Sequence, residues 1–183
     1  MTTVIYISGT PCTGKTTLAN RLSDKFDDIF SISINDFVGE HDLILGEDPD
    51  KCYKIIDIEG LDEKLNDYIK SNISEGIVLV EGHVSHLCSY CDKCIILRLK
   101  PDILKERLES RGYSENKVLE NLEAEILDVC SVEAYQKHNN KVNELDTSDL
   151  GVDEVLSLVY DIILDKNSFP VGNISFIDYL LND

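Results

Sequence analysis

The residues best suited to chemistry lie together near the start of the chain. Residues 9–16 read Gly-Thr-Pro-Cys-Thr-Gly-Lys-Thr and fit the pattern G-x-x-x-x-G-K-[ST]. In this pattern backbone N–H groups surround a polyphosphate, the lysine contacts its β- and γ-phosphates, and the final hydroxyl binds Mg²⁺. We therefore predict a cradle for a triphosphate, with Lys15 on the phosphates and Thr16 on the metal. The alternative is a glycine-rich turn with a solvated lysine.

Polar residues also follow two of the predicted strands. Glu81 ends the apolar run Ile77–Val80, and a carboxylate there lies beside the phosphate site of an open α/β sheet. It would hold Mg²⁺ through water, or simply contact solvent. His83 either faces the same cleft or packs in a loop. Asp36 follows the second strand, where an acceptor nucleotide would lie, unless its side chain caps the next helix.

Phosphoryl transfer needs delocalised cations against the transferred group, and the chain offers few arginines. Arg107 and Arg111 are spaced i, i+4 just before a glycine, which predicts one helical face at the hinge of a lid. We expect Arg111 to act in that lid. Arg107 either assists at the acceptor or pairs with neighbouring acids. Arg98 ends a predicted strand and is a weaker candidate, whereas Arg21 is expected at the surface.

Six cysteines raise the question of a metal. Cys88, Cys91 and Cys94 are evenly spaced and follow His83 and His86. Structural zinc sites usually show two separated ligand pairs, and this pattern does not. We therefore predict packed or surface thiols and no structural metal.

The elements that must position these groups alternate along the chain. Apolar runs predict strands at Val4–Ser8, Ile29–Ile34, Ile77–Val80 and Cys94–Leu99, and Lys141–Leu145 is a candidate for a fifth. Apolar residues at helical spacing predict helices at Lys15–Phe26, around Leu61–Ile69, after a cap at Asp102, from a cap at Ser114 through Val129, and at Val152–Ile163. Residues 37–57 are predicted to be irregular, with turn formers at Gly46 and Pro49-Asp50. The alternation predicts a parallel five-stranded sheet with helices on both sides, a three-layer α/β sandwich. The last predicted helix ends near residue 165.

Length and charge limit the class of protein. The 183 residues fit one domain over residues 1–165, with a tail at 166–183 whose short helix docks on the body or on a partner. The net charge of −18 argues against general binding to nucleic acid or anionic membranes and leaves a basic protein partner open. No apolar run is long enough to span a membrane and no signal peptide is evident, so we expect a cytoplasmic or nuclear protein.

Three segments occur together and in order, and they carry a resemblance. The segments are Gly9-Thr10-Pro11-x-x-Gly14-Lys15-Thr16-Thr17, Glu81-x-His83, and Arg107-Leu108-Glu109-x-Arg111-Gly112-Tyr113-x-Glu115-x-Lys117. With these segments, the chain resembles the adenylate kinase isoenzyme 6 family over about residues 4–165.

The resemblance implies a P-loop NTPase fold of the nucleoside monophosphate kinase type, with a monophosphate region at about 33–56 and a lid at about 110–120. The implied catalytic residues are Lys15, Glu81, His83 and Arg111, and the acceptor would contact Asp36 and Arg107. Mg²⁺ would bind Thr16 directly and Glu81 through water. The residues implied to bind ATP are Gly9, Cys12, Thr13, Gly14, Lys15, Thr16, Thr17 and Arg111.

The implied function is that of a broad-specificity nucleoside monophosphate kinase, an adenylate kinase that also hydrolyses ATP. The resemblance further implies a basic small-subunit ribosomal protein as partner and a role in late small-subunit maturation and rRNA processing. Separately, we expect a monomer. Two alternatives stay open. One is an ATP-driven ribosome assembly switch in which phosphotransfer is incidental. The other is a P-loop kinase of another small metabolite.

The chain departs from the family pattern at three places. Cys12 stands where the family usually has glycine, Glu81 stands where it usually has aspartate, and no lysine occurs near Asp149 to contact the ATP base.

Overall fold

The computed structural model describes residues 1–47 and 54–180. The strands are β1 (Thr2–Ser8), β2 (Ile29–Ser33), β3 (Ile44–Glu47), β4 (Lys54–Ile56), β5 (Gly76–Glu81), β6 (Lys93–Arg98) and β7 (Val142–Asp146). The α-helices are α1 (Lys15–Lys25), α2 (Ile34–Glu40), α3 (Ile58–Asn72), α4 (Pro101–Ser110), α5 (Glu115–Ile126), α6 (Val129–His138) and α7 (Val152–Ile163). Short 3₁₀ turns occur at Ser85–Leu87, Asn139–Lys141 and Ile177–Leu180.

Five parallel strands form the central sheet in the order β2-β5-β1-β6-β7, which confirms the predicted sheet and the three-layer α/β class. Strand β1 lies in the middle, and later strands are added on both sides of it. In such a sheet ligands bind outside the carboxyl ends of the strands, where the winding reverses. The end of β1 at Ser8 leads directly into the predicted cradle.

Both faces of the sheet are covered at its centre, which explains why the three central strands, β1, β5 and β6, are mostly apolar. Val4 and Tyr6 of β1 point into the core beneath α2, α3 and α6, whereas Ile5 and Ile7 point into the core beneath α1 and α7. A third apolar cluster lies below the start of the predicted lid. Its buried members are Cys12, Leu99, Leu104, Leu108 and Val118.

The prediction of an irregular segment at 37–57 was wrong for the described part of it. Strand β2 ends at Ser33, one residue early, and α2 begins at Ile34. Ile34, Phe37 and Val38 are buried at helical spacing, so burial on one face favours a helix. Strands β3 and β4 then pair in antiparallel fashion. The proposed turn at Pro49-Asp50 lies outside the described residues.

Helices α4 and α5, which follow β6, differ from prediction in two details. Asp102 does not cap α4, because Pro101 already occupies its first turn and the N-cap is Lys100. The helix expected to continue from Ser114 through Val129 ends at Ile126. Asp128 adopts a left-handed conformation with φ 56°, which separates α5 from α6.

The C-terminal segment, residues 167–180, packs on the body of the protein. Pro170 forms an antiparallel bridge with Asn143 of β7, and Phe176 is buried. The Tyr179 hydroxyl donates to the Asp102 carboxylate over 3.2 Å. Among the described residues, no helix is both long and apolar enough to cross a membrane.

Truncating the α3 face that covers the sheet tests the core assignment. Leu65 is fully buried, so Leu65→Ala should lower the free energy of unfolding by about 3 kcal/mol through lost burial and a residual cavity. Leu45 is 69% exposed, so Leu45→Ala should change it by less than about 0.5 kcal/mol. Urea unfolding followed by circular dichroism measures both values, and equal losses would contradict the packing described.

Candidate active site

A cavity of about 490 Å³ opens at the carboxyl ends of β1 and β5. The cradle, the end of β5, the first turn of α2 and the segment predicted to form the lid contribute its walls. It is lined by Pro11, Cys12, Lys15, Thr16, Asn35, Glu81, Gly82, His83, Arg111, Tyr113, Lys117, Glu120 and Asn121. The structure therefore brings Lys15, Thr16, Glu81, His83 and Arg111, expected from separate parts of the sequence, into one space.

The loop that forms the cradle depends on unusual backbone conformations. Gly9 has φ 132°, and a Cβ there would lie 2.4 Å from the Leu97 carbonyl oxygen, so only glycine fits. Cys12 has φ 69°, the left-handed region that its departure from glycine put in question. This conformation costs on the order of 1 kcal/mol for a residue with a side chain. Packing of the Cys12 side chain against Leu104 and Leu108 offsets that cost.

The Lys15 ammonium lies inside the loop. Nζ donates to the carbonyl oxygens of Gly9 at 3.0 Å and Thr10 at 2.8 Å. Burial lowers the pKa of Lys15 to about 8, while nearby acidic groups and thiols oppose the shift. Lysine therefore remains mostly protonated at neutral pH, and its charge lies at the N-terminus of α1, where the helix dipole also attracts anions. The two positive contributions point to a polyphosphate.

A hydroxyl and a carboxylate meet at the edge of the cradle. The Thr16 Oγ1 donates to Glu81 Oε2 over 3.0 Å, and Glu81 is buried. Oxygen ligands of this kind suit Mg²⁺, which keeps most of its coordination for water and phosphate oxygens. No group of three or more His, Cys, Asp or Glu residues in the described ranges could hold a metal by itself. Thr16 and Glu81 thus fit a metal that arrives with a nucleotide.

His83 is exposed at the cavity wall. The protein around its ring, followed by the positive charge of Lys15, lowers the pKa of His83 to about 4. The ring is therefore neutral at physiological pH and can both donate and accept a hydrogen bond. The loop that carries it is rigidly anchored through its buried neighbour His86. That ring contacts Ser8 Oγ at 2.6 Å and Glu133 Oε2 at 3.0 Å.

The two arginines spaced i, i+4 separate across the cradle. Arg111 lines the 490 Å³ cavity, whereas Arg107 lines a second cavity of about 260 Å³. Its Nη1 donates to the Cys12 carbonyl oxygen over 3.3 Å. The spacing fails to keep them together because α4 ends at Ser110 and the chain turns at Arg111 and Gly112, which has φ 75°.

Asp36 lies in neither cavity. It belongs to the first turn of α2, whose N-cap is Ser33, and lines a separate groove along the edge strand β2. The structure therefore does not bring Asp36 and Arg107 together as one acceptor site. Its neighbour Asn35 lines the main cavity instead. One residue along the helix rotates a side chain by about 100°, so only the placement of α2 distinguishes the two.

Two other predictions about individual groups have clear outcomes. Arg98 does not reach the cavity, because it is buried and paired with acids beneath the cradle. Cys88, Cys91 and Cys94 are buried thiols, as expected for packed cysteines. Burial raises the pKa of Cys88 and Cys91 to about 12.

Sequence reasoning did not assign roles to Tyr113, Lys117 and Asn121, which also line the main cavity. Lys117 and Asn121 are spaced i, i+4 at the start of α5, directly after the lid glycine. That spacing predicts that the two side chains share one face of the helix, and it could have identified them as candidate site residues.

Comparison with known proteins is consistent with this geometry. A family model described as an AAA domain matches residues 5–128. A Methanothermobacter thermautotrophicus protein named "Putative adenylate kinase" is 43% identical over 97% of this chain and 99% of its own length. One of the same name from Methanococcus maripaludis is 39% identical over 96% of each chain. Such coverage extends into the C-terminal segment that the sequence resemblance left out.

The fold also resembles that of a solved nucleotide kinase. The thymidylate kinase of Candida albicans superposes with a TM-score of 0.61, covering 94% of this chain and 96% of its own at 16% identity. At that identity the similarity shows the fold alone.

Titration of His83 tests the electrostatics of the cavity. We expect its ring to stay neutral above about pH 5 and to titrate near its pKa of about 4. Lys15→Met should raise that pKa, because it removes a positive charge that disfavours the imidazolium. NMR of the ring protons measures both values, with the signal assigned by its loss in His83→Gln. An unchanged His83 pKa in Lys15→Met would contradict the arrangement.

Proposed function

The chain belongs to the AAA domain family and to the same family as these archaeal proteins, and from that premise we propose that it is a nucleoside monophosphate kinase. It transfers the γ-phosphoryl group of ATP to AMP or another nucleoside monophosphate. The observation that carries this proposal is the position of the cradle between two cavities. A kinase needs a donor on one side of the phosphates and an acceptor on the other.

The smaller cavity supports a donor base. Thr13, Gly14 and Thr17 connect it to the cradle, while the side chains of Leu18, Leu97, Leu150 and Val155 make it largely apolar. The planar guanidinium of Arg107 lies at its wall and can stack on a base. We therefore assign Arg107 to ATP rather than to the acceptor. Recognition of the base then depends on shape and stacking, because no lysine among the described residues lines this cavity.

The larger cavity supports the acceptor. Arg111 and Lys117 provide cations from the lid side, and Asn35 provides an amide from α2. The volume of about 490 Å³ is in the usual range for a small-molecule site. Asn35, rather than Asp36, is the residue of the expected monophosphate region that we assign to this site.

Each group at the junction then has a role in phosphoryl transfer, which depends on positioning and charge neutralisation. Mg²⁺, when bound with ATP, neutralises phosphate charge next to Thr16 and Glu81. Lys15 exchanges its bonds to the Gly9 and Thr10 carbonyls for phosphate oxygens. Arg111 closes over the transferred group, and the neutral ring of His83 orients the acceptor or a water by hydrogen bonding.

A panel of acceptors tests the kinase directly. With Mg·ATP, we expect formation of nucleoside diphosphate to depend on AMP, CMP, UMP, GMP or dAMP and to exceed hydrolysis of ATP alone. Lys15→Met should reduce turnover by at least about 100-fold, because it removes a charge that stabilises the transition state. Lys70→Met, at an exposed position on α3, is the matched control and should retain parental rates. Full turnover in Lys15→Met would refute the role of the cradle, and activity only with a non-nucleotide acceptor would identify a metabolite kinase.

We also propose, from the resemblance and the charge of −18, that ATP hydrolysis by this protein serves late maturation of the small ribosomal subunit. A strongly acidic surface favours a basic ribosomal protein as partner. An isolated small-subunit ribosomal protein should then bind and stimulate hydrolysis in the absence of AMP, and the binding should weaken as salt rises. If that protein does not change the rate of hydrolysis and the AMP-dependent kinase activity is intact, the ribosomal role is refuted and only the role as a nucleoside monophosphate kinase remains.

A further inference from the structure

A buried group of charges lies directly beneath the cradle. Its centre is Arg98, which is 1% exposed. Nε donates to Glu125 Oε1 at 2.7 Å, Nη2 to Asp128 Oδ1 at 2.5 Å, and Nη1 to Glu144. The side chains of Glu125 and Glu144 are each 1% exposed. We refer to these four residues as the Arg98 cluster.

The cluster is bonded to the cradle itself. The Thr10 Oγ1 donates to Glu125 Oε2 over 2.6 Å. The Thr10 carbonyl oxygen in turn accepts from Lys15 Nζ at 2.8 Å and from Thr13 Oγ1 at 2.9 Å. Thr10 therefore connects the buried carboxylate of Glu125 to Lys15, the residue that would contact phosphate.

The cluster is also bonded to the wall of the donor cavity. The Arg98 carbonyl oxygen accepts from both the N–H and the hydroxyl of Thr147, each at 3.0 Å. Thr147 lines the 260 Å³ cavity beside the cradle. Glu125 lies on α5, the same helix whose first turns line the acceptor cavity. Residues of the Arg98 cluster thus connect to three walls of the site: the cradle, the donor cavity and helix α5.

The C-terminal segment closes the cluster. The Gly172 N–H donates to Glu144 Oε2 over 3.1 Å, and the Glu144 N–H donates to the Phe169 carbonyl. The Arg98 guanidinium lies against the ring of Phe176, with Cζ 5.0 Å from the ring centroid. Phe176 itself is 6% exposed. Removing this cover would admit water to the ion pairs.

We propose that Thr10 and Glu125 are positioning residues for the phosphate cradle, and that the C-terminal segment maintains the cradle by sealing the Arg98 cluster. A buried ion pair is favourable only when its geometry is good and every remaining polar atom is bonded. The cluster therefore restrains the cradle to a narrow range of positions. In this respect the inference rests on the proposed role of the cradle in binding ATP.

Thr10→Val tests the bond from the cluster to the cradle. It preserves shape and removes the hydroxyl, so we expect Mg·ATP to bind about 10-fold more weakly by calorimetry, an effect of about 1.4 kcal/mol. Thr10→Ser retains the hydroxyl and should bind within about twofold of the parent. A merely structural bond would lower the unfolding temperature while leaving the affinity of the folded protein unchanged. That outcome would overturn the proposal.

A double-mutant cycle shows whether Thr10 acts through Glu125. In the Glu125→Gln background, Thr10→Val should cost clearly less affinity than in the parent, because the charged acceptor is already gone. Additive losses would separate the two residues and contradict the proposal. If Glu125→Gln does not fold, the comparison of Thr10→Val with Thr10→Ser decides.

Two neighbouring substitutions test the seal. Phe176→Ala should weaken Mg·ATP binding several-fold, because it exposes Arg98 to water. Ile177→Ala is the matched control, since Ile177 is 46% exposed, and should bind like the parent. Parental affinity in Phe176→Ala would refute the role of the segment. Affinity for Mg·ATP is measured without an acceptor, so these experiments do not depend on kinase activity. If the protein binds ATP but phosphorylates no monophosphate, the proposed function fails while the binding data still test this inference.

Discussion

Positive charge gathered at one point of a strongly acidic protein is the constraint on which the rest of the structure depends. The chain carries a net charge of −18, yet its cradle must attract a polyphosphate. The N-terminus of α1 and the Lys15 ammonium provide the attraction within the loop. Arg107 and Arg111 add cations on opposite sides of it. Because interactions between charges weaken with distance and screening, most of the chain's acids affect the cradle less than these local cations do. Glu81, which lies in the cavity, is the candidate ligand of the metal.

Burial determines how that charge is used. Lys15 lies among carbonyl oxygens, where desolvation lowers its pKa but leaves it mostly protonated. Desolvation by the surrounding protein, followed by the positive charge of Lys15, lowers the pKa of His83 and keeps its ring neutral. The two side chains therefore divide the work between electrostatic attraction and hydrogen bonding. Arg98 has the opposite environment, since buried carboxylates neutralise it beneath the cradle.

Much of the fold could be predicted from local patterns. Continuous apolar runs identified the central strands β1, β5 and β6, and helical spacing identified α1, α3 and α7. The prediction failed where one pattern admits two structures. Ile34 continues the apolar run of β2, yet it is the first residue of α2, because burial with Phe37 and Val38 on one helical face stabilises the helix. The short hairpin of β3 and β4 has too few residues to show a periodic signal.

By itself, the sequence determined the chemistry of the cradle, because the residue types and spacing at 9–16 are suited to binding phosphate. It also indicated the parallel sheet that positions the cradle. Only the tertiary structure decided which groups share a cavity. Arg107 and Arg111 are four residues apart, but the end of α4 sends them to opposite sides of the cradle. Arg98, Glu125 and Glu144 are distant in sequence and become one buried cluster only when β6, α5 and β7 pack together. Spacing along a chain specifies local geometry, whereas the position of a side chain relative to a distant loop depends on how strands are ordered and where helices end.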